Sequence, residues 1–330
     1  MISSEFIQEL KSGYLKPLLD CVIYDTSLVL AIRMDYINIY YRGGSILKLT
    51  DNKDGSYSAE FDNNYFKYAD SQKGFVLPEC TIAKPVSAEK NKIEEWIEIF
   101  PVLKNAMNAK FKKHGTLEKE FQQLVVRENN FISKIAGKTD YFIADVETQT
   151  NDKNINNKDK DSRFDLIALK WPRGDRKPRE LQLAFIEMKY GNDSLGSGKD
   201  GENTKDAGIV AHINDFEDAV KKDDNFIKNV ATMALGQLFC LAELGLVPLL
   251  EKENISGFKI SEERPEFIFI LANHDPRSTK LRDILDGFHA PLAGNKYDLR
   301  FFNASSAGYG LYKECMFDLE RYKDLLTNYV

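Results

Sequence analysis

The chain has 330 residues, 43% of them hydrophobic and 29% charged, an ordinary balance for a folded protein with room for one large domain or two smaller ones. Its 45 Lys and Arg stand against 51 Asp and Glu, a net charge of −6 that excludes a uniformly basic nucleic-acid coat but allows a local basic groove. No stretch has the ~20 apolar residues of a membrane-spanning helix, and Met1 to Phe6 lacks the basic and apolar regions of a signal peptide, so a cytoplasmic protein is expected. The cysteines Cys21, Cys80, Cys240 and Cys315 lie far apart with no CxxC pair, which suits reduced thiols better than a zinc site or a disulfide frame.

A helix over 5–19 opens the chain, followed by short strands over 28–33, 36–41 and 45–49, with Gly43-Gly44 as the tight turn between the last two. A further strand is expected over 57–61. Tyr36, Tyr40, Tyr41 and Arg42 could stack on a nucleic acid, although aromatic residues in strands more often pack. No catalytic constellation stands out here. A boundary near residue 90 sets off a small β-rich accessory module, 1–90, from a larger domain, 91–330. An amphipathic helix over 93–111 follows, which Pro101 should kink or split. The basic cluster Lys104, Lys110, Lys112, Lys113 and His114 reads as a phosphate track or as a solvated face. In the next helix, over 116–126, Thr116 serves as N-cap and Leu117, Phe121, Leu124 and Val125 form the buried stripe. Glu118 and Glu120 flank that stripe, and acids in a first turn also suit the helix dipole.

Strands are expected over 141–147 and 163–169, separated by a polar loop over 151–161. Asp165 sits inside the second apolar run. A basic connection around Trp171 (Lys170, Arg173, Arg176, Lys177, Arg179) leads into the strand Leu183-Ala184-Phe185-Ile186-Glu187-Met188-Lys189-Tyr190. Alternation puts Leu183, Phe185, Glu187 and Lys189 on one face and Ala184, Ile186 and Met188 on the other. A carboxylate and an ammonium on an apolar surface need a reason, because burying unpaired charge is expensive. Either they form an internal bridge at the strand end or they belong to a site. A long Gly/Asp/Lys loop over 192–208 follows, in which Gly196-Ser197-Gly198-Lys199 lacks the spacing of a phosphate loop. Helices over 212–221 and 225–244, a buried strand over 266–273 and a closing helix over 311–326 complete the chain. His212 and Asp215, just past the loop, could touch a substrate, but capping of the first of these helices by Asn214 or Asp215 is the stronger expectation, and Gln237 is expected to pack at a core edge rather than to reach a substrate. Asp145 and Glu147 are further acids close to the expected site.

This succession is helix, three strands, helix, strand, with Glu118 on the helix, Asp165 on the second strand and Glu187-Met188-Lys189 on the third. It resembles the PD-(D/E)xK nuclease superfamily over about 115–275, with Phe164 standing where the motif has its proline. The resemblance implies an α/β, restriction-endonuclease-like αβββαβ core whose mixed central sheet is flanked by helices. It also implies a Mg2+-dependent nuclease, with Mn2+ able to substitute, whose metal is held by Glu118 (Glu120 being the runner-up), Asp165, Glu187 and the carbonyl of Met188. Lys189 would position the attacking water. The residue chemistry agrees: neighbouring strands lie about 4.8 Å apart, so their carboxylates can share one hard cation, which relieves their mutual repulsion. DNA is the expected substrate, in restriction, repair or defence against mobile DNA. RNA is one alternative, and a catalytically silent nuclease-fold protein that binds nucleic acid or assembles with a partner is another. A homodimer or a partner protein fits either reading.

Overall fold

The computed structural model describes residues 1–62, 65, 86–115, 117–130, 138–149, 163–172, 180–196, 208–247, 257–275, 278–286, 288, 296–304 and 308–328. Thr116 as N-cap, the polar loop over 151–161, the basic run Arg173 to Arg179, the middle of the 192–208 loop and Cys80 lie outside the described residues. The chain divides into two compact units, Met1–Arg127 with Gly236–Pro248, and Glu128–Leu235 with Leu249–Val330.

The first unit opens with α1 (Ser4–Ser12) and α2 (Lys16–Tyr24), two helices where the sequence suggests one. Pro17 explains the break: inside a continuous helix it could not donate to the carbonyl of Gly13, whereas the first turn of a new helix accepts it. An antiparallel sheet follows in the order β1 (Leu28–Ile32), β2 (Tyr36–Tyr41), β3 (Gly44–Asp51), β4 (Tyr57–Glu60) and β5 (Val86–Ser87). The β2–β3 turn is made by Arg42 and Gly43, at φ 49° and 74°, rather than by Gly43 and Gly44, and Gly44 already belongs to β3. Two consecutive left-handed residues match the twist of a two-residue hairpin. Next, α3 (Lys90–His114) begins at the boundary expected near residue 90 and clusters with the first unit. It runs through Pro101 as a single helix. Trp96 and Phe100 before the proline, and Leu103 and Met107 after it, are all buried, so packing on both sides holds the helix while Pro101 faces solvent. The helix α4 (Leu117–Asn130) then carries Glu118 and Glu120.

The second unit is built on a mixed five-stranded sheet in the order β10-β9-β8-β7-β6. Its strands are β6 (Tyr141–Gln149), β7 (Arg163–Lys170), β8 (Glu180–Tyr190), β9 (Lys259–Ala272) and β10 (Asp298–Asn303). The first three pair antiparallel, whereas β9 and β10 join parallel to β8. A parallel neighbour requires a crossover, and α5 (Ile209–Lys222) and α6 (Phe226–Glu243) lie between β8 and β9 in the chain. The helices α7 (Thr279–Asp286) and α8 (Leu319–Asn328) complete the unit. Phe216 of α5 stacks on Phe267 at 4.6 Å and lies 4.9 Å from Phe185, which stacks on Phe226 of α6 at 5.6 Å. Tyr322 of α8 stacks on Phe301 of β10 at 5.0 Å. Interlocked rings thus join helices to one face of the sheet, the face that carries Phe185, Phe267 and Phe301. On the other face, buried Glu266 accepts from Tyr141 Oη and Lys170 Nζ, both at 2.6 Å. Burial, and then the charge of Glu266, pushes the Tyr141 hydroxyl well above its ordinary pKa. No helix among the described residues is long and apolar enough to cross a membrane.

Candidate functional site

The β7–β8 pairing ends at Leu166 opposite Ile186. One residue further along β7, Asp165 Oδ2 accepts the main-chain N–H of Met188 at 2.7 Å. The strand also changes face here. Phe164 and Leu166 would share a face in a regular strand. Instead, Phe164 lies 4.8 Å from Phe185 and 6.0 Å from Phe216, while Leu166 pairs with Ile186, whose side chain alternates away from Phe185. Asp165 sits at the changeover, with its Oδ2 bonded to the N–H of the peptide that joins Glu187 to Met188.

Glu187 and Lys189 lie on the Phe185 face, with side chains only 3% and 5% exposed. Glu187 Oε2 is 4.0 Å from Lys189 Nζ and 3.4 Å from His212 Nδ1. The histidine follows from the packing of α5. His212 precedes Phe216 by one turn, a rise of about 6 Å, and Glu187 follows Phe185 by a strand step of about 6.6 Å. Because Phe216 rests on Phe185, a helix running back along β8 brings His212 over Glu187. The start of α5 is pinned by Gly208, where a Cβ would lie 2.5 Å from Gly196 Cα and 2.6 Å from the Leu195 carbonyl oxygen. That close approach opens the helix at Ile209, several residues earlier than expected. Asn214 and Asp215 consequently lie exposed within α5 and cap nothing, which corrects the capping expectation.

Glu147 in β6 has φ 54°, uncommon for a residue with a side chain. The pairs Val146–Leu166 and Thr148–Phe164 on either side of it bring it level with Asp165. Asp145 is buried, and its Oδ1 accepts the N–H of Val146 at 2.8 Å. Among the described residues, no three His, Cys, Asp or Glu side chains converge tightly enough to hold a metal ion on their own.

Of the five predicted site residues, Asp165, Glu187, Met188 and Lys189 belong to the second unit, whereas Glu118 belongs to the first. Glu120 is committed elsewhere in the first unit. Arg42 grips it through two bonds of 2.9 and 2.7 Å, donates to Asn108 Oδ1 at 2.6 Å and lies over the Phe111 ring. Glu118 is half-exposed and has no hydrogen-bond or ionic partner among the described residues. Gln237 packs as expected, buried, with its Nε2 donating to the Ile32 carbonyl at 2.9 Å. Comparisons with protein-family models, curated proteins and solved structures find no match for this chain.

Proposed function

We propose that the chain is a Mg2+-dependent nuclease of the PD-(D/E)xK type that hydrolyses phosphodiester bonds in DNA and carries the restriction-endonuclease-like αβββαβ core. One observation carries the reading: Asp165 Oδ2 accepts the main-chain N–H of Met188 at 2.7 Å, so the acid of β7 touches the peptide next to Glu187 on the neighbouring strand. The order α4-β6-β7-β8-α5-β9 supports it. The donor set suits the ion, because Mg2+ takes hard oxygen ligands from one or two carboxylates and fills the rest of its shell with water and substrate oxygens. Asp165, Glu187 and the Met188 carbonyl would hold it, and Mn2+ could take its place. Glu118 enters the proposal from the family resemblance alone.

A bound Mg2+ offsets the charge on the phosphate and makes water a better nucleophile. Lys189 complements that role. Its 4.0 Å separation from Glu187 exceeds the about 2.8 Å of a charge-assisted hydrogen bond, so among the described residues Lys189 is not locked onto that carboxylate and would turn to a water or a phosphate oxygen. Burial strengthens the ammonium's field at that point, so Lys189 orients the attacking water and stabilises charge that develops in the transition state.

One observation favours a second reading. Glu187, Lys189 and His212 also make an internal polar cluster, which a silent nucleic-acid-binding or assembly protein could keep for structure alone. A cleavage assay separates the two. Supercoiled, linear and single-stranded DNA and an RNA are incubated with Mg2+ or Mn2+. DNA is expected to be cut, and chelation, Glu187→Gln and Lys189→Gln are expected to abolish cutting while circular dichroism stays unchanged. Cutting of RNA alone moves the substrate to RNA. Binding without cutting supports the silent reading. Cutting that survives chelation or Glu187→Gln refutes the mechanism.

A further inference from the structure

We infer that His212 is a positioning residue that orients the Glu187 carboxylate towards a divalent cation, an inference that rests on the metal-dependent reading above. Glu187 is buried, and His212 Nδ1, 3.4 Å from Oε2, is nearer to that oxygen than Lys189 Nζ at 4.0 Å. A neighbour held against one oxygen restricts how the whole carboxylate can turn. The two neighbours are not equivalent in this task. Lys189 stands on the same strand as Glu187 and approaches on a flexible four-carbon stem. His212 brings a rigid ring from a separate element.

That element is firmly held. Phe216, one turn along α5, stacks on Phe267 at 4.6 Å and contacts Phe185 at 4.9 Å. At the helix start, Gly208 is packed against Gly196 so closely that no side chain fits. The helix that carries His212 is therefore held against β8, which keeps the ring beside Glu187 Oε2. Partners of metal-bound carboxylates act in this way, and losing one typically costs about 10–100-fold in metal affinity. His212 is 23% exposed on its side chain, at the boundary between the buried acid and solvent.

The test is calorimetric titration of the full chain with Mn2+, run for wild type, Glu187→Gln, His212→Ala and His212→Gln, beside the Mg2+ dependence of cleavage. Wild type should bind Mn2+ and Glu187→Gln should not. His212→Ala should bind at least about tenfold more weakly. It should raise the Mg2+ concentration for half-maximal rate more than it lowers the rate at saturation. His212→Gln, which keeps a donor, should recover most of the affinity, a rescue that a purely structural role would not produce. If His212→Ala does not fold, His212→Leu against His212→Gln replaces it, and only Leu should lose Mn2+. Unchanged Mn2+ affinity in His212→Ala, with binding lost in Glu187→Gln, overturns the inference and leaves the metal reading standing. Absence of Mn2+ binding by wild type overturns both.

Discussion

Asp165 Oδ2 accepts the N–H of Met188 at 2.7 Å, tying an acid at the end of β7 to the main chain of the neighbouring strand beside Glu187. Charge and hydrogen bonding can therefore be separated at this position. Asp165→Asn keeps an acceptor for Met188 N–H and should unfold at nearly the wild-type urea concentration, yet lose Mg2+-dependent cleavage. Asp165→Ala should lose cleavage and, in addition, about 1–3 kcal/mol of stability, because a part-buried N–H is left without its acceptor. Equal stability of the two variants would show that the bond contributes nothing.

The Arg42-Gly43 turn offers a contrast between backbone and charge. Arg42 and Glu120 are each about a third exposed, so solvent screens their fork, and Arg42→Ala should cost about 1 kcal/mol. Gly43 has φ 74°, and a Cβ there would lie 2.4 Å from the main-chain oxygen of Lys119. Gly43→Ala should therefore cost more, about 2–3 kcal/mol, through strain and displacement of α4. Urea denaturation of both variants checks the order, and a larger loss for Arg42→Ala would reverse the argument.

His274 supplies a pH dependence. It is buried at the end of β9, with Nδ1 2.9 Å from Asn192 Oδ1, and burial lowers its pKa below the ordinary 6.5, partly opposed by the charge of Asp275. The unfolded chain takes up this proton more readily than the folded one. The contribution of His274 is thus fully present above the unfolded pKa and is lost as pH falls towards the depressed folded value. Between about pH 7.5 and about pH 5, the Tm of wild type should fall more steeply than that of His274→Asn. Parallel curves would show that the proton uptake lies elsewhere.

Where local pattern and tertiary packing agree, the fold is readable from sequence. The apolar runs of β6, β7, β8 and the second half of β9 stand out because their side chains are almost all buried, and they locate Asp165, Glu187 and Lys189. The helix α3 is harder to read, because a local rule about Pro101 yields to apolar residues packed on both sides of it. Strand β10 escapes notice: its six residues are half polar, and its parallel pairing with β9 from Glu266 to Leu271 leaves no local mark. The bond from Asp165 to the Met188 N–H is also hidden, since regular alternation fails between Phe164 and Leu166. His212 lacks a motif altogether. Its only trace is its place one turn before Phe216, and that becomes informative once Phe216 is known to rest on Phe185.

The central claim is that one divalent cation binds beside Asp165 and Glu187, and iron-directed cleavage of the protein's own backbone tests it most directly. Fe2+ binds oxygen and nitrogen sites more tightly than Mn2+ and, with ascorbate and peroxide, cuts the nearest main chain. The account predicts fragments ending close to residue 165 and close to residue 187, suppressed by excess Mg2+ and absent from Asp165→Asn and Glu187→Gln. Cuts confined to other parts of the chain, or the same fragments from both variants, would contradict it.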